Sequence, residues 1–307
     1  MIPNGYNTVP SSMFVEAMLA GINSIGVDYY VDCNNGNDAN NGLSWDTAFK
    51  KLSVALAASH ANIALGKFGW ASRNRIFFKG DQTATADGED LTKLAQKTDI
   101  IGVGTTDWKA KPQLVGNIAV GNTVAYMGCR FFNVMFKGPI ASGGDIITLT
   151  GQHGIGFFGC EFMGDSTIAA TSAILATACV TLQIENCLFK GAFSDAVIEL
   201  GAGQADGLRI VNNIIEGADM GIDVGAATFV ASKFGLIKDN VISSTLACIN
   251  DASNKIYVIN NRGMTLATSG GVTIAGAVVC NIKLAQDNRF TTSNKNNMVY
   301  PAQEALA

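Results

Sequence analysis

A chain of 307 residues that is 48% hydrophobic and only 15% charged has ample material for a core but few charges for an ordinary globular surface. Its net charge is −4, and its arginines (Arg73, Arg75, Arg130, Arg209, Arg262 and Arg289) are scattered, which excludes the basic stripe that nucleic-acid binding requires. No run of ~18 apolar residues offers a membrane-crossing helix, and the first residues lack the basic region and continuous apolar core of a secretory signal.

Residues 1–28 read as an arm. The first ten are polar and include Pro3 and Pro10; Ser11 or Ser12 then caps a short helix. Phe14, Met18 and Ile22 step by four along one face of it. That face either packs on the end of the domain or docks a partner or neighbouring subunit.

Residues 29–74 begin with a strand at Tyr29, Tyr30 and Val31. Residues 32–42 are dense in Asn, Asp and Gly and form a tight loop. Asp32 and Asp38 give this loop a calcium-like composition, but it lacks the bidentate Glu that closes an EF-type loop. A hydrogen-bonded turn is the alternative. Ser44 is placed to cap a helix over 45–59, in which Phe49, Leu52 and Leu56 recur at helical spacing.

From 75 to 290 the sequence is organised by a repeat. The sextets NVMFKG (133–138), GCEFMG (159–164), NCLFKG (186–191), NNIIEG (212–217) and DNVISS (239–244) end at steps of 26, 27, 26 and 27 residues. A fixed period of this size marks a solenoid. Short β-branched runs between Gly, Asn and Asp residues fit strands of 3–6 residues, three to a coil. Stacked coils place Phe136, Phe162, Phe189, Ile215 and Ile242 in one internal column, ~4.8 Å apart. Two residues earlier lies a second column of Val134, Cys160, Cys187, Asn213 and Asn240, with Asn261 and Asn288 as extensions. Asn side chains in such a column hydrogen-bond along it. The glycine ending each sextet permits the turn that follows. Residues 291–307 lose the repeat and read as a C-terminal arm or small cap over open strand edges.

The seven cysteines are odd in number, contain no CxxC and lack zinc-site spacing, so they are expected as buried free thiols in a protein made in a reducing cytosol. No cofactor is indicated.

The residues Tyr30, Val31, Asp32, Gly36, Asn37, Asp38, Gly42, Ser44, Ala48, Phe49 and Leu52 form an aromatic-Val-Asp strand, a Gly-Asx-Asp loop, Gly-x-Ser and an Ala-Phe-x-x-Leu helix. This run resembles the opening of right-handed parallel β-helix proteins of the pectin-lyase-like superfamily. Segments 75–80 and 100–104 resemble its first strands. The resemblance implies an all-β, right-handed parallel β-helix with an N-terminal helical cap. Enzymes, adhesins and viral proteins share the motif, so it implies no single function.

Glycosidases need two carboxyl groups flanking one bond. No adjacent aspartate pair is present; Asp145, Asp195, Asp206, Asp219, Asp223, Asp239 and Asp251 are isolated in sequence. Asp195, Asp219 and Asp223 lie roughly one coil apart and are the weak catalytic candidates, with strand-capping turns as the alternative. His153 reads as a turn residue and His60 as the end of the helix. Arg209 matches a lyase base only as a single residue. Trp45, Trp70 and Trp108, if exposed, offer sugar-stacking rings; otherwise they pack the cap.

Two functions follow. The first is a structural virion protein of a tailed bacteriophage, a capsid decoration, head fibre or tail-spike component. It would be made in the host cytoplasm, assembled as a homotrimer and held by capsid or tail proteins. The second is a polysaccharide-binding or polysaccharide-degrading β-helix protein, extracellular, with a surface glycan as ligand.

Overall fold

The computed structural model describes residues 26–65, 72–83, 91, 94–104, 111–116, 118–121, 127–138, 144–165, 170–217, 220–224, 227–230, 235–245, 247–251 and 256–265, with the strand residues 278–279, 285–286, 289–292 and 298–299. The strands lie in three main sheets, of ten, ten and seven strands. Successive strands of one sheet come from successive coils and pair in parallel. In the first sheet Phe131, Phe157, Ile184, Ile210 and Ile237 are partners in turn. The chain is a right-handed parallel β-helix, the hand expected of strand crossovers. At the far end Met298–Val299 folds back antiparallel onto Arg289–Thr292.

The corner between the first and second sheets explains the sextet. Its first residue takes a left-handed conformation: Asn133, Asn186, Asn212 and Asp239 have φ of 55–57° and Gly159 has 60°. Asn260 continues the row at 51°. Asn, Asp and Gly tolerate this conformation where other residues are strained. The corner turn therefore sits at the start of the sextet, and the glycine at its end turns as well in two coils, with φ of 124° at Gly191 and 81° at Gly217. That terminal glycine has a second reason. A Cβ on Gly191 would come within 2.4 Å of the Gly164 carbonyl oxygen, so backbone stacks on backbone there.

The next residue turns inward. Val134, Cys160, Cys187, Asn213, Asn240 and Asn261 are all buried. Asn240 Oδ1 accepts from the N–H (3.0 Å) and the amide (2.9 Å) of Asn213, and Asn240 Nδ2 donates to the Ile210 carbonyl at 2.9 Å. Asn261 Oδ1 receives the same bonds from Asn240 across the shorter step of 21 residues. The thiols of Cys187 and Cys160 replace the amide donor toward the N-terminus, reaching the carbonyls of Phe157 and Phe131 at 3.4 and 3.5 Å. The expected extension by Asn288 lies outside the described residues.

Phe136, Phe162 and Phe189 stack as expected, with centroids 4.9 and 4.6 Å apart. A second inward column, Phe131 on Phe157 at 5.4 Å, meets them edge to face. The described cysteines are free and buried. Burial pushes the Cys129 thiol up to about 12 and those of Cys179 and Cys248 to about 11, which leaves them protonated and inert.

The helix runs over Leu52–Ala64, later than the sequence reading placed it. Phe49 is extended instead: its N–H donates to the Tyr30 carbonyl and its own carbonyl accepts from Asp32 N–H, each at 2.9 Å. Ser44 closes a turn by accepting Thr47 N–H at 3.2 Å. Asp38 ties down the two residues before the helix from across the loop, accepting from the N–H groups of Lys50 and Lys51, both at 2.9 Å, while the N-cap Lys51 has no side-chain cap bond. The middle of the helix is held to the strand Asn74–Lys79 by the Asn74 amide, which donates to the Ser59 carbonyl and hydroxyl. His60 lies within the helix rather than at its end.

Replacing Asn240 by Ala would strand the Ile210 carbonyl and the Asn213 donors in the core. We expect a loss of about 2–4 kcal/mol in urea unfolding. Asp38→Ala, which removes two loop hydrogen bonds to Lys50 and Lys51, should cost about 1 kcal/mol.

Candidate functional site

The third sheet presents a row of polar groups on its outer face. Inward, Ile147, Ile174, Ile198, Ile222 and Ile249 stack in the core. One residue on, the side chains point outward, and the partners in turn are Thr148, Leu175, Glu199, Asp223 and Asn250. Glu199 and Asp223 are thus neighbours across one strand spacing of about 4.8 Å.

The surroundings orient these carboxyl groups. Ser172, itself fully buried, donates its hydroxyl to Glu199 Oε2 at 3.0 Å and its N–H to Asp145 Oδ1 at 3.1 Å. Thr148 donates to Asp145 Oδ2 at 2.9 Å. The Asn250 amide holds Asp223 Oδ1 at 2.8 Å. Asp195, just before the strand that carries Glu199, donates its N–H to the Thr171 carbonyl of the preceding coil and accepts the Met220 N–H of the following one.

Burial raises the pKa of Glu199, and the charges of Asp195, Asp145 and Asp223 raise it further, against the Ser172 hydrogen bond. Asp145 is raised in the same way, by burial first and by Asp195 as well, against the bonds from Thr148 and Ser172. A carboxyl group that keeps its proton into a higher pH range, beside a second carboxyl one strand away, is suited to proton transfer at a glycosidic oxygen.

No protein-family model matches this chain, and no curated protein matches it. Among solved structures it is similar to a pectin methylesterase from Aspergillus niger, at 13% identity over 87% of this chain and 86% of that one, with a TM-score of 0.37. It is also similar to a tailspike protein of the E. coli bacteriophage HK620, at 13% identity over 74% of this chain, with a TM-score of 0.35. The match covers 52% of the tailspike. A lacto-N-biosidase from Eubacterium ramulus matches at 10% identity over 92% of this chain and 70% of that one, with a TM-score of 0.24. At these identities and scores the fold rests on the strand registers above, and no activity is assigned.

Of the expected catalytic aspartates, Asp195 and Asp223 come to the same face, and Asp219 lies outside the described residues. Glu199, which stands in the row, has no counterpart among the sequence candidates, and Asp145, isolated in sequence, sits beside the row on the Ser172 N–H. The signal was weak because this sheet does not keep the period of the sextets. Its inward isoleucines step by 27, 24, 24 and 27 residues, from 147 to 249.

Asp32 and Asp38 are engaged in the loop. Asp32 Oδ1 accepts from the N–H groups of Asn34 and Asn35, and Lys79 Nζ lies 3.0 Å from Oδ2. Burial would raise the Asp32 carboxyl, but the Lys79 ammonium and those N–H groups outweigh it and hold it low. Among the described residues no group of three or more His, Cys, Asp or Glu is placed to hold a metal ion. His153, expected in a turn, forms an isolated parallel bridge with Val180, and its carbonyl accepts Gly128 N–H. Arg209 pairs with Glu185 at 3.0 Å. Trp45 is exposed. Phe14, Met18, Ile22, Trp70 and Trp108 lie outside the described residues.

Because the folded state raises Glu199 and Asp145, it binds more protons than the unfolded chain between the ordinary carboxylate pKa and the raised values. Their contribution to stability is therefore present at low pH and lost as pH rises through that window. Melting temperatures of the Glu199→Gln protein should fall less steeply over that range and exceed wild type at neutral pH. Parallel curves would refute the assignment.

Proposed function

We propose that this chain is a polysaccharide-engaging β-helix protein. The glycan crosses the outer face of the third sheet, and Glu199 and Asp223 flank one glycosidic bond. The observation that carries this reading is the in-register carboxyl pair, with the acidity of Glu199 suppressed by burial and by three neighbouring carboxylates. In this reading Glu199 gives its proton to the leaving oxygen while Asp223 attacks the anomeric carbon. Glu199 then takes a proton from the water that releases the sugar. A separation of about 5 Å between the carboxyl groups corresponds to retention of configuration.

A second reading has a specific observation behind it. Continuous amide, thiol and phenylalanine columns make a stiff rod with few loose backbone groups, which suits an exposed virion part such as a decoration, head fibre or tail spike. In this setting the chain would assemble as a homotrimer with capsid or tail proteins.

Reducing-end release from bacterial polysaccharides tests the first reading. Turnover should drop at least about a hundredfold in Glu199→Gln and Asp223→Asn, with glycan binding retained. Binding without turnover would leave a binding protein. Neither binding nor turnover, or variants as active as wild type, would overturn the reading. Sedimentation tests the second: a strict monomer with no affinity for virion proteins would contradict it.

A further inference from the structure

The outer face of the first sheet carries a separate surface. Its outward residues in the first five coils are Tyr30, Phe77, Ile101, Phe132 and Phe158, partners in turn. All are partly exposed. Tyr30 stacks on Phe77 at 5.4 Å and Phe132 on Phe158 at 5.0 Å. Trp45, 37% exposed, meets Tyr30 edge-on at 5.0 Å and extends the ridge at its N-terminal end.

Beside this ridge runs a column of ion pairs. Arg75 grips Asp28 with two bonds of 2.7 and 2.6 Å, and Arg130 grips Asp99 with the same two lengths. Arg73 brings a second guanidinium to Asp99 at 2.6 Å. Arg75 and Arg130 also lie over the rings of Phe77 and Phe132, at 5.6 and 5.5 Å. Lys79 sits 4.5 Å from the Trp45 ring centre and pairs with Asp32. Arg75, Arg130 and Lys79 are thereby each held between a carboxylate and an aromatic ring.

Coil stacking does not require this arrangement. The same outward column continues as Glu185, Val211 and Lys238, with no aromatic residue, and those coils keep the same parallel register. The aromatic character is confined to one stretch of the rod.

The charges on this stretch nearly cancel: Arg73, Arg75, Arg130 and Lys79 stand against Asp28, Asp32 and Asp99. An anionic polymer would find one surplus cation. An apolar peptide would bury several ions away from water, at high cost. An uncharged polyhydroxyl ligand fits both features. Its hydroxyls can donate to the partly exposed Asp28 carboxylate and accept from the partly exposed guanidinium groups of Arg73, Arg75 and Arg130, behind which Asp99 is buried, and its C–H faces can lie on aromatic edges and on Trp45. Because the side chains are already immobilised, little ordering entropy opposes binding.

We infer that this ridge, from Trp45 to Phe158, binds a neutral oligosaccharide laid along the axis of the coil. The inference shares its ligand class with the polysaccharide reading of the third sheet but rests on other residues, so the two fail separately.

The test is capture of the full chain by an array of uncharged glucan, galactan and mannan oligosaccharides, with hexagalacturonate as the anionic comparison. Neutral oligosaccharides should be captured and hexagalacturonate should not. Trp45→Ala and, as a second variant, Phe132→Leu should each weaken capture about fivefold to tenfold with an unchanged melting temperature for Trp45→Ala. Glu199→Gln should leave this capture intact, and Trp45→Ala should leave turnover at the third sheet intact. Capture of hexagalacturonate alone, no capture of any neutral oligosaccharide, or capture indifferent to both ridge variants would overturn the inference.

Discussion

The corner between the first and second sheets sets the register of the described coils. A residue with positive φ reverses the outward strand, and the residue after it enters the core with a polar group that the next coil must satisfy. Asn meets both demands in adjacent positions: at 212 it turns the chain, and at 213 it bonds the coil above and the coil below. An amide buried without partners would cost about 1–3 kcal/mol, so a one-residue slip of any coil is opposed by its neighbours. The outer Asn212 amide reaches Asn186 at 2.5 Å, so the corner is tied on both sides of the wall.

That fixed register makes the outer faces chemically meaningful. Parallel in-register stacking lines up like positions of successive coils, so isolated residues become rows. On the first sheet the rows alternate opposite charges, and the pairs are satisfied: Asp28 with Arg75, Asp99 with Arg130. On the third sheet the row sets Glu199 against Asp223, like against like, with the Ser172 hydroxyl on Glu199 and the Asn250 amide on Asp223. Like charges one strand apart oppose each other. A face that alternates opposite charges and a face that sets two carboxyl groups side by side differ in their local electrostatics.

The stacking of coils was legible in the sequence because the second sheet and its corner keep a nearly constant period. The Phe136 and Cys160 columns could be read directly, including the short step to Asn261. The role of the first sextet residue was not, because positive φ leaves only a preference for Asn, Asp or Gly. The helix start was misplaced because Phe49 has helical spacing to Leu52 but is held extended by Tyr30 and Asp32. The carboxyl row was hidden by the irregular steps of the third sheet. The inner Phe131 and Phe157 column and the outer Phe132 and Phe158 ridge were hidden too, since adjacent phenylalanines point to opposite sides of one wall.

The most direct measurement is a carbon-13 NMR titration of the Glu199 carboxyl in wild type and in Asp223→Asn. The account predicts a midpoint above the ordinary glutamate range that moves back toward it when the charge at 223 is removed. A midpoint at the ordinary value, unchanged by the substitution, would contradict the placement of these two groups side by side.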